Sequence, residues 1–158
     1  MLQFIKIWGL LFFGCVLSGC THTNSADETA YVNTHIVIER KHYYPWETDI
    51  GYSQVVKVNN TLYLSGMTSE KATFDSQMDD IYRSIKTILA DYNVGMDAIV
   101  KEVIFTTNIE KLKQLIPRRK AYFFSLGHHS YPAATWVEVN QLWSPSHLLE
   151  VEVIAVLP

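Results

Sequence analysis

The chain has 158 residues, 48% of them hydrophobic, which is enough for one domain with a proper core. Its 13 Lys+Arg against 16 Asp+Glu give a formal charge of -3, and so acidic a balance excludes charge-driven binding to nucleic acid.

From Ile7 to Leu17 the sequence is nearly continuous apolar and follows Lys6. It is too short for a settled bilayer-spanning helix and the right length for a signal h-region. Leu17-Ser18-Gly19-Cys20 comes next, the lipobox pattern in which small residues admit a signal peptidase and the thiol accepts diacylglycerol. Residues 1–19 are therefore expected to be a lipoprotein signal peptide, with Cys20 the lipidation site. An ordinary signal peptide, or a short buried helix with a chance cysteine, is the competing reading. Thr21 rather than Asp follows Cys20, and the resemblance to Gram-negative lipoproteins implies sorting to the outer membrane, facing the periplasm. On this reading Cys15 leaves with the signal and Cys20 carries lipid, so the mature domain has no thiol for a disulfide or for catalysis. Lys6 leaves as well, so 13 basic residues become 12 against 16 acidic, a charge of about -4.

Residues 20–32 are polar and aperiodic and read as a flexible tether, with the domain running from 33 to 158. Thr34 to Arg40 is β-branched and weakly alternating, which suits a first strand that must end before Pro45 because proline cannot donate to a ladder. Gln54 to Val58 and Leu62 to Ser65 predict a hairpin ending at Gly66, turning on Asn59-Asn60, residues that tolerate left-handed backbone. The sequon match at Asn59-Asn60-Thr61 is read as part of that turn.

Between Phe74 and Asn93 the apolar residues Met78, Ile81, Tyr82, Ile85, Ile88, Leu89 and Tyr92 recur at helical spacing, with Asp75 or Ser76 as the cap and Gly95 past the end. Ile99 to Thr107 alternates as a strand, Val103 and Phe105 opposite Glu102 and Ile104, and leads into Asn108 as a cap. A second helical region reaches Leu126, broken by Pro117 into a short turn from Ile109 and a main helix starting at the proline. Ala134 to Gln141, with Trp136, Glu138 and Asn140 on one face, and Leu148 to Val156, with Glu150 and Glu152 on one face, close the chain as strands. The order β-β-β-α-β-α-β-β predicts an α+β fold, a mixed sheet with two helices on one face.

Six segments carry a family resemblance: Tyr52-Ser53-Gln54, Leu64-Ser65-Gly66, Ile99-Val100-Lys101, Lys120-Ala121-Tyr122-Phe123, Pro132-Ala133-Ala134-Thr135 with Val137-Glu138-Val139, and Glu150 to Val156. Their order and spacing resemble the RidA/YjgF family from about Tyr44 to the C-terminus. The resemblance implies a chorismate-mutase-like fold, a homotrimer with each ligand cleft between two subunits, and hydrolysis of enamines and imines to a 2-keto acid and ammonia without metal or organic cofactor.

It also implies site residues. Glu150 matches the carboxylate that positions the attacking water, while Tyr52, Ser65 and Gly66 match segments lining the cleft. An arginine follows Pro-Ala in catalytic relatives and clamps the substrate carboxylate bidentately; here that position is Ala134. Losing a charge-assisted partner typically costs about 1.5–3 kcal/mol, which argues against 2-imino acid deamination. Thr135 and Trp136 adjoin that position, and Trp136 is read either as narrowing the cleft or as packing at a subunit interface. The asparagine some relatives use falls near Ile116, and Gly51 stands where the family has proline. Arg118 or Arg119 is a candidate to swing in for the missing guanidinium. Pro45-Trp46-Glu47 resembles a branch that often lacks the arginine. His128-His129 lacks metal-ligand spacing and reads as loop. The function expected is action on, or binding of, a small imine- or enamine-type metabolite; the alternatives are a non-catalytic small-molecule-binding trimer and an envelope scaffold.

Overall fold

The computed structural model describes residues 36–125 and 127–158, so the expected signal peptide, Cys20 and the tether lie outside the described residues. Strands β1 (Ile38–Lys41), β2 (Val55–Val58) and β3 (Thr61–Met67) form an antiparallel meander. The predicted turn lies between β2 and β3, with Asn59 at φ 53°. Its side-chain oxygen accepts a hydrogen bond from Val37 N at 3.1 Å, which pins the chain entering β1. Of the expected 34–40 segment, residues 34 and 35 lie outside the described residues and 36 and 37 outside the ladder, while β1 runs one residue further at its end. The third strand continues past Gly66 through a bulge between Leu64 and Met67, because β8 keeps offering it partners.

Pro45 ends the strand path and opens helix α1 (Pro45–Ile50), which the alternation did not predict. Glu47 is fully buried and acts as its organiser. One carboxylate oxygen accepts from the N–H groups of Tyr43 and Tyr44 and the other from Gln54 N, each at 2.9 Å. Gly51 caps the helix at φ 93°, a left-handed conformation that the fixed ring of proline cannot adopt.

Helix α2 (Phe74–Ala90) buries the predicted stripe, but its cap is Thr73. Thr73 Oγ1 accepts from Ser76 N and Ser76 Oγ accepts from Thr73 N, so Ser76 is the reciprocal partner of the cap, and Asp75 lies in the first turn. After a short 3₁₀ turn at Met96–Ala98 comes β4 (Ile99–Thr106). Asn108 caps α3 (Ile109–Gln114) as expected, and α4 (Ile116–Tyr122) starts with Pro117 in its first turn. The two helices are almost equal, and the second stops at Tyr122 rather than Leu126. Phe124–Ser125 (β5) instead pairs with His128–His129 (β6) around Gly127 at φ 84°. Strand β7 (Ala133–Glu138) ends before Gln141 because its partner β4 has run out; Val139 N donates the last bond, to Thr106 O.

Strand β8 (Leu149–Val156) lies in the middle of the six-stranded sheet, whose order is β1-β2-β3-β8-β4-β7. It runs antiparallel to both β3 and β4, while β7 lies parallel to β4 on the far edge. The result is the expected mixed α+β fold, with four helices among the described residues where the pattern indicated two. Leu62 and Leu64, Ile104, and Leu149, Val151, Val153 and Ala155 pack with Met78, Ile81, Tyr82, Ile85 and Leu89 of α2 in the core. Alternation sends Tyr63, Val103, Glu152 and Ile154 to the opposite face, which no helix of the described chain covers.

Candidate functional site

The bulge in β3 frees Ser65 and Gly66 from the regular ladder, and the neighbouring segment holds them in place. Ser65 Oγ donates to Ser53 O at 2.8 Å, Ser65 N donates to Gln54 O at 3.0 Å, and Gln54 Nε2 donates to Ser65 O at 2.9 Å. Gln54 is itself fixed by buried Glu47. Thus the carboxylate of the Pro-Trp-Glu segment positions backbone two steps away.

Opposite Gly66 stands Glu150. It alternates with buried Leu149 and Val151 and so leaves the core. A Cβ built on Gly66 would lie 1.9 Å from Glu150 Oε1, so only glycine lets the carboxylate occupy this place. Burial pushes the Glu150 carboxyl above the ordinary glutamate range, with His147 opposing and Glu152 reinforcing the shift. Among the described residues no hydrogen bond or ion pair engages that carboxylate.

Tyr52, Ser65, Gly66 and Glu150 share the wall of one cavity of about 540 Å³, together with Trp46, Trp143 and His147. The volume is within the range of small-molecule sites. His147 is buried, with Nε2 2.7 Å from Glu70 Oε1, and hydrogen bonds from His147 and Ser146 hold the Glu70 carboxyl below its usual range. Trp143 is 77% exposed at the rim. Sequence reasoning missed Trp143, His147 and Glu70; the available signal was an aromatic and a histidine in the polar Gln141–His147 connection between the last two strands.

Ala134, Thr135 and Trp136 do not reach this cavity within one chain. They sit on β7, separated from β8 by β4. Ala134 is in register with Glu102 and Trp136 with Ile104, so both face the helical side. Trp136 packs against the core with its ring 5.4 Å from the Arg119 guanidinium, and its Nε1 is buried without a partner among the described residues. Thr135 faces the other way, its hydroxyl accepting from Lys101 Nζ at 2.7 Å.

Neither candidate arginine is available to the cavity. Arg119 is buried and donates through Nε and Nη2 to Glu102 Oε2 at 2.8 and 2.5 Å, while Tyr82 OH donates to Glu102 Oε1 at 2.5 Å. Arg118 is bidentate on Asp79, which holds that carboxyl down at about 2. Ile116 lies at the start of α4, beside Pro117, Lys120 and Phe124. His129 stacks on Tyr131 with ring centres 4.9 Å apart. Among the described residues no cluster of three or more His, Cys, Asp or Glu is arranged to hold a metal ion.

A mixed sheet backed by helices on one face defines the fold class, and comparison with known proteins agrees with it. The family model described as "Endoribonuclease L-PSP" matches residues 46–157. A RutC family protein of Aquifex aeolicus is 30% identical over 112 residues, covering 66% of this chain and 87% of that protein. A Rid family protein from Yersinia pestis is 30% identical with a TM-score of 0.61, covering 68% of this chain and 88% of the other. A YjgF family member from Mycobacterium tuberculosis, at 22% identity, shares the fold with a TM-score of 0.68 over 77% of this chain and all of its own. The chain belongs to this Rid/YjgF/RutC family.

Proposed function

We propose that this protein hydrolyses a small imine or enamine that carries no carboxylate on the reacting carbon. The observation that carries the reading is Glu150: a carboxylate raised by burial, unengaged by other side chains among the described residues and lining a cavity of ligand size. A base poised above the ordinary glutamate range both accepts and returns a proton readily. The water oxygen bonds to the carbon of the protonated C=N while Glu150 takes the water proton. Glu150 then returns that proton to nitrogen and, as the C–N bond breaks, takes the remaining hydroxyl proton, so that a neutral carbonyl and ammonia leave and Glu150 passes the proton it holds to solvent. Tyr52 and the Ser65-Gly66 segment shape the cleft. Ala134 supplies no clamp for a 2-imino acid, and Arg118 and Arg119 are bound elsewhere. The acidic composition gives RNA no charge-driven hold, so the reading does not follow the nuclease label of the family.

The lipobox ending at Cys20 supports attachment to the cell envelope, at the outer membrane and facing the periplasm. The uncovered sheet face with Val103 and Ile154, and the family resemblance, support a homotrimer in which β7 of a neighbour completes each cleft. Binding without turnover is the second reading, favoured by Ala134 and by the aromatic rim of Trp46 and Trp143.

The test is ammonia release from freshly generated 2-aminoacrylate and from a panel of imines without an adjacent carboxylate. The wild type is expected to prefer the latter, and Glu150→Gln to slow release by about 10²–10⁴-fold. Ala134→Arg is expected to improve 2-aminoacrylate turnover. Wild type no faster than buffer across the panel would overturn the enzymatic reading.

A further inference from the structure

The Glu150 cavity does not end at Trp46. A second cavity of about 290 Å³ shares Trp46, Tyr52, Gly66 and Thr68 with it, so the two are lobes of one cleft. The lobes differ in charge. Glu150 and Glu70 line the first, whereas among the described residues Arg83 is the one charged residue lining the second, beside the hydroxyls of Ser84 and Thr87 on α2. Arg83 makes a single long contact, Nη1 to Asp80 Oδ1 at 3.3 Å, that leaves Nε and Nη2 unengaged among the described residues. Arg83 borders this lobe and also a hollow beside Asp79 and Lys86, and its guanidinium keeps donors to spare for an anion.

The wall between the lobes is aromatic and preorganised. Tyr44 and Trp46 stack with centroids 4.3 Å apart and planes 8° from parallel, and both rings remain about half exposed. Glu47 fixes the backbone beneath them by accepting from the N–H groups of Tyr43 and Tyr44. Ordering that wall before a ligand arrives removes part of the entropy loss of binding. The Pro-Trp-Glu segment therefore does two things: proline starts the short helix and glutamate braces it, so that tryptophan stands in the cleft.

We infer that the second lobe is an anion-binding subsite, with Arg83 gripping a carboxylate or similar anion at the far end of a planar ligand whose ring lies along Trp46. Resting on the imine-hydrolase reading, this names the substrate class: a molecule with its C=N or enamine group at Glu150, an aromatic or comparable planar middle, and an anionic tail at Arg83. A protonated imine is positive, and the two lobes then match both ends of a dipolar substrate. The carboxylate grip that position 134 lacks is supplied from α2, at a greater distance from the reacting carbon.

The probe pair is 3-phenylpropanoate against neutral 3-phenylpropanamide, titrated into purified full-length protein by calorimetry at low salt. Wild type should bind the acid about tenfold more tightly than the amide, the usual worth of one charge-assisted contact. Arg83→Ala should erase the preference, Arg83→Lys should keep part of it, and Glu150→Gln should retain it. Trp46→Ala should weaken both probes alike. Equal binding of acid and amide by wild type, no binding of either, or a preference that survives Arg83→Ala would overturn the subsite. A preference abolished by Arg83→Ala in a protein that releases no ammonia from any imine would retain the subsite and remove the enzymatic reading instead.

Discussion

At Gly66 one missing methyl group decides the site. A Cβ there would lie 1.9 Å from Oε1, 2.7 Å from Cδ and 2.9 Å from Cγ of Glu150, so the whole carboxyl end must move if alanine replaces glycine. Gly66→Ala is expected to abolish Glu150-dependent ammonia release and to cost about 1–3 kcal/mol of stability through overpacking. Adding Glu150→Ala should return most of that stability, because the three atoms nearest the added methyl all belong to the Glu150 side chain. Urea unfolding of the two single variants and the double variant measures this; additive losses would contradict the direct contact. Ser65, Gly66 and Glu150 were legible as candidates through their short motifs. The reason for the glycine was not, since it depends on a residue in a different strand near the other end of the chain.

Between β4 and α4 the deciding feature is a buried ion pair. Alternation in β4 identified two faces without telling which is buried; the face with Glu102 and Ile104 is, and Glu102 has no exposure at all. Arg119 and Tyr82 share its carboxylate, while the Phe123 and Trp136 rings lie over the guanidinium. Removing one partner leaves the other charge buried alone, so Glu102→Ala should destabilise by about 3–5 kcal/mol. Glu102→Leu with Arg119→Met should recover most of it, read from urea midpoints at constant slope. At this scale the β2–β3 turn, the α2 stripe, the Asn108 cap and the Pro117 break were legible, because each depends on residues within a few positions. Helix α1 was not legible, because it is braced from below by Glu47 and Gln54, and the expected extension of the second helix to Leu126 gave way to a turn at Gly127.

For the whole molecule, one sheet face is packed by helices and the other bears Tyr63, Val103 and Ile154 around a hollow with Lys101 and Glu152. If this face assembles three copies, light scattering of purified protein should return three times the chain mass, and Val103→Arg should lower it to that of a single chain. A wild type at one chain mass would remove the inter-subunit cleft and with it any part for Ala134, Thr135 and Trp136 in the site. By itself the sequence determined what is local: periodicity, the Asn108 cap, the β2–β3 turn, the acidic balance and the motifs of the family. Only the tertiary structure decided which strand face is buried, that Glu150 meets Gly66, that Arg119 is locked inside while Arg83 faces the cleft, and that β7 stands apart from the cavity in its own chain. The physical reason is that side-chain alternation follows from the backbone of a single strand, whereas strand order and register come from burying all the apolar faces at once.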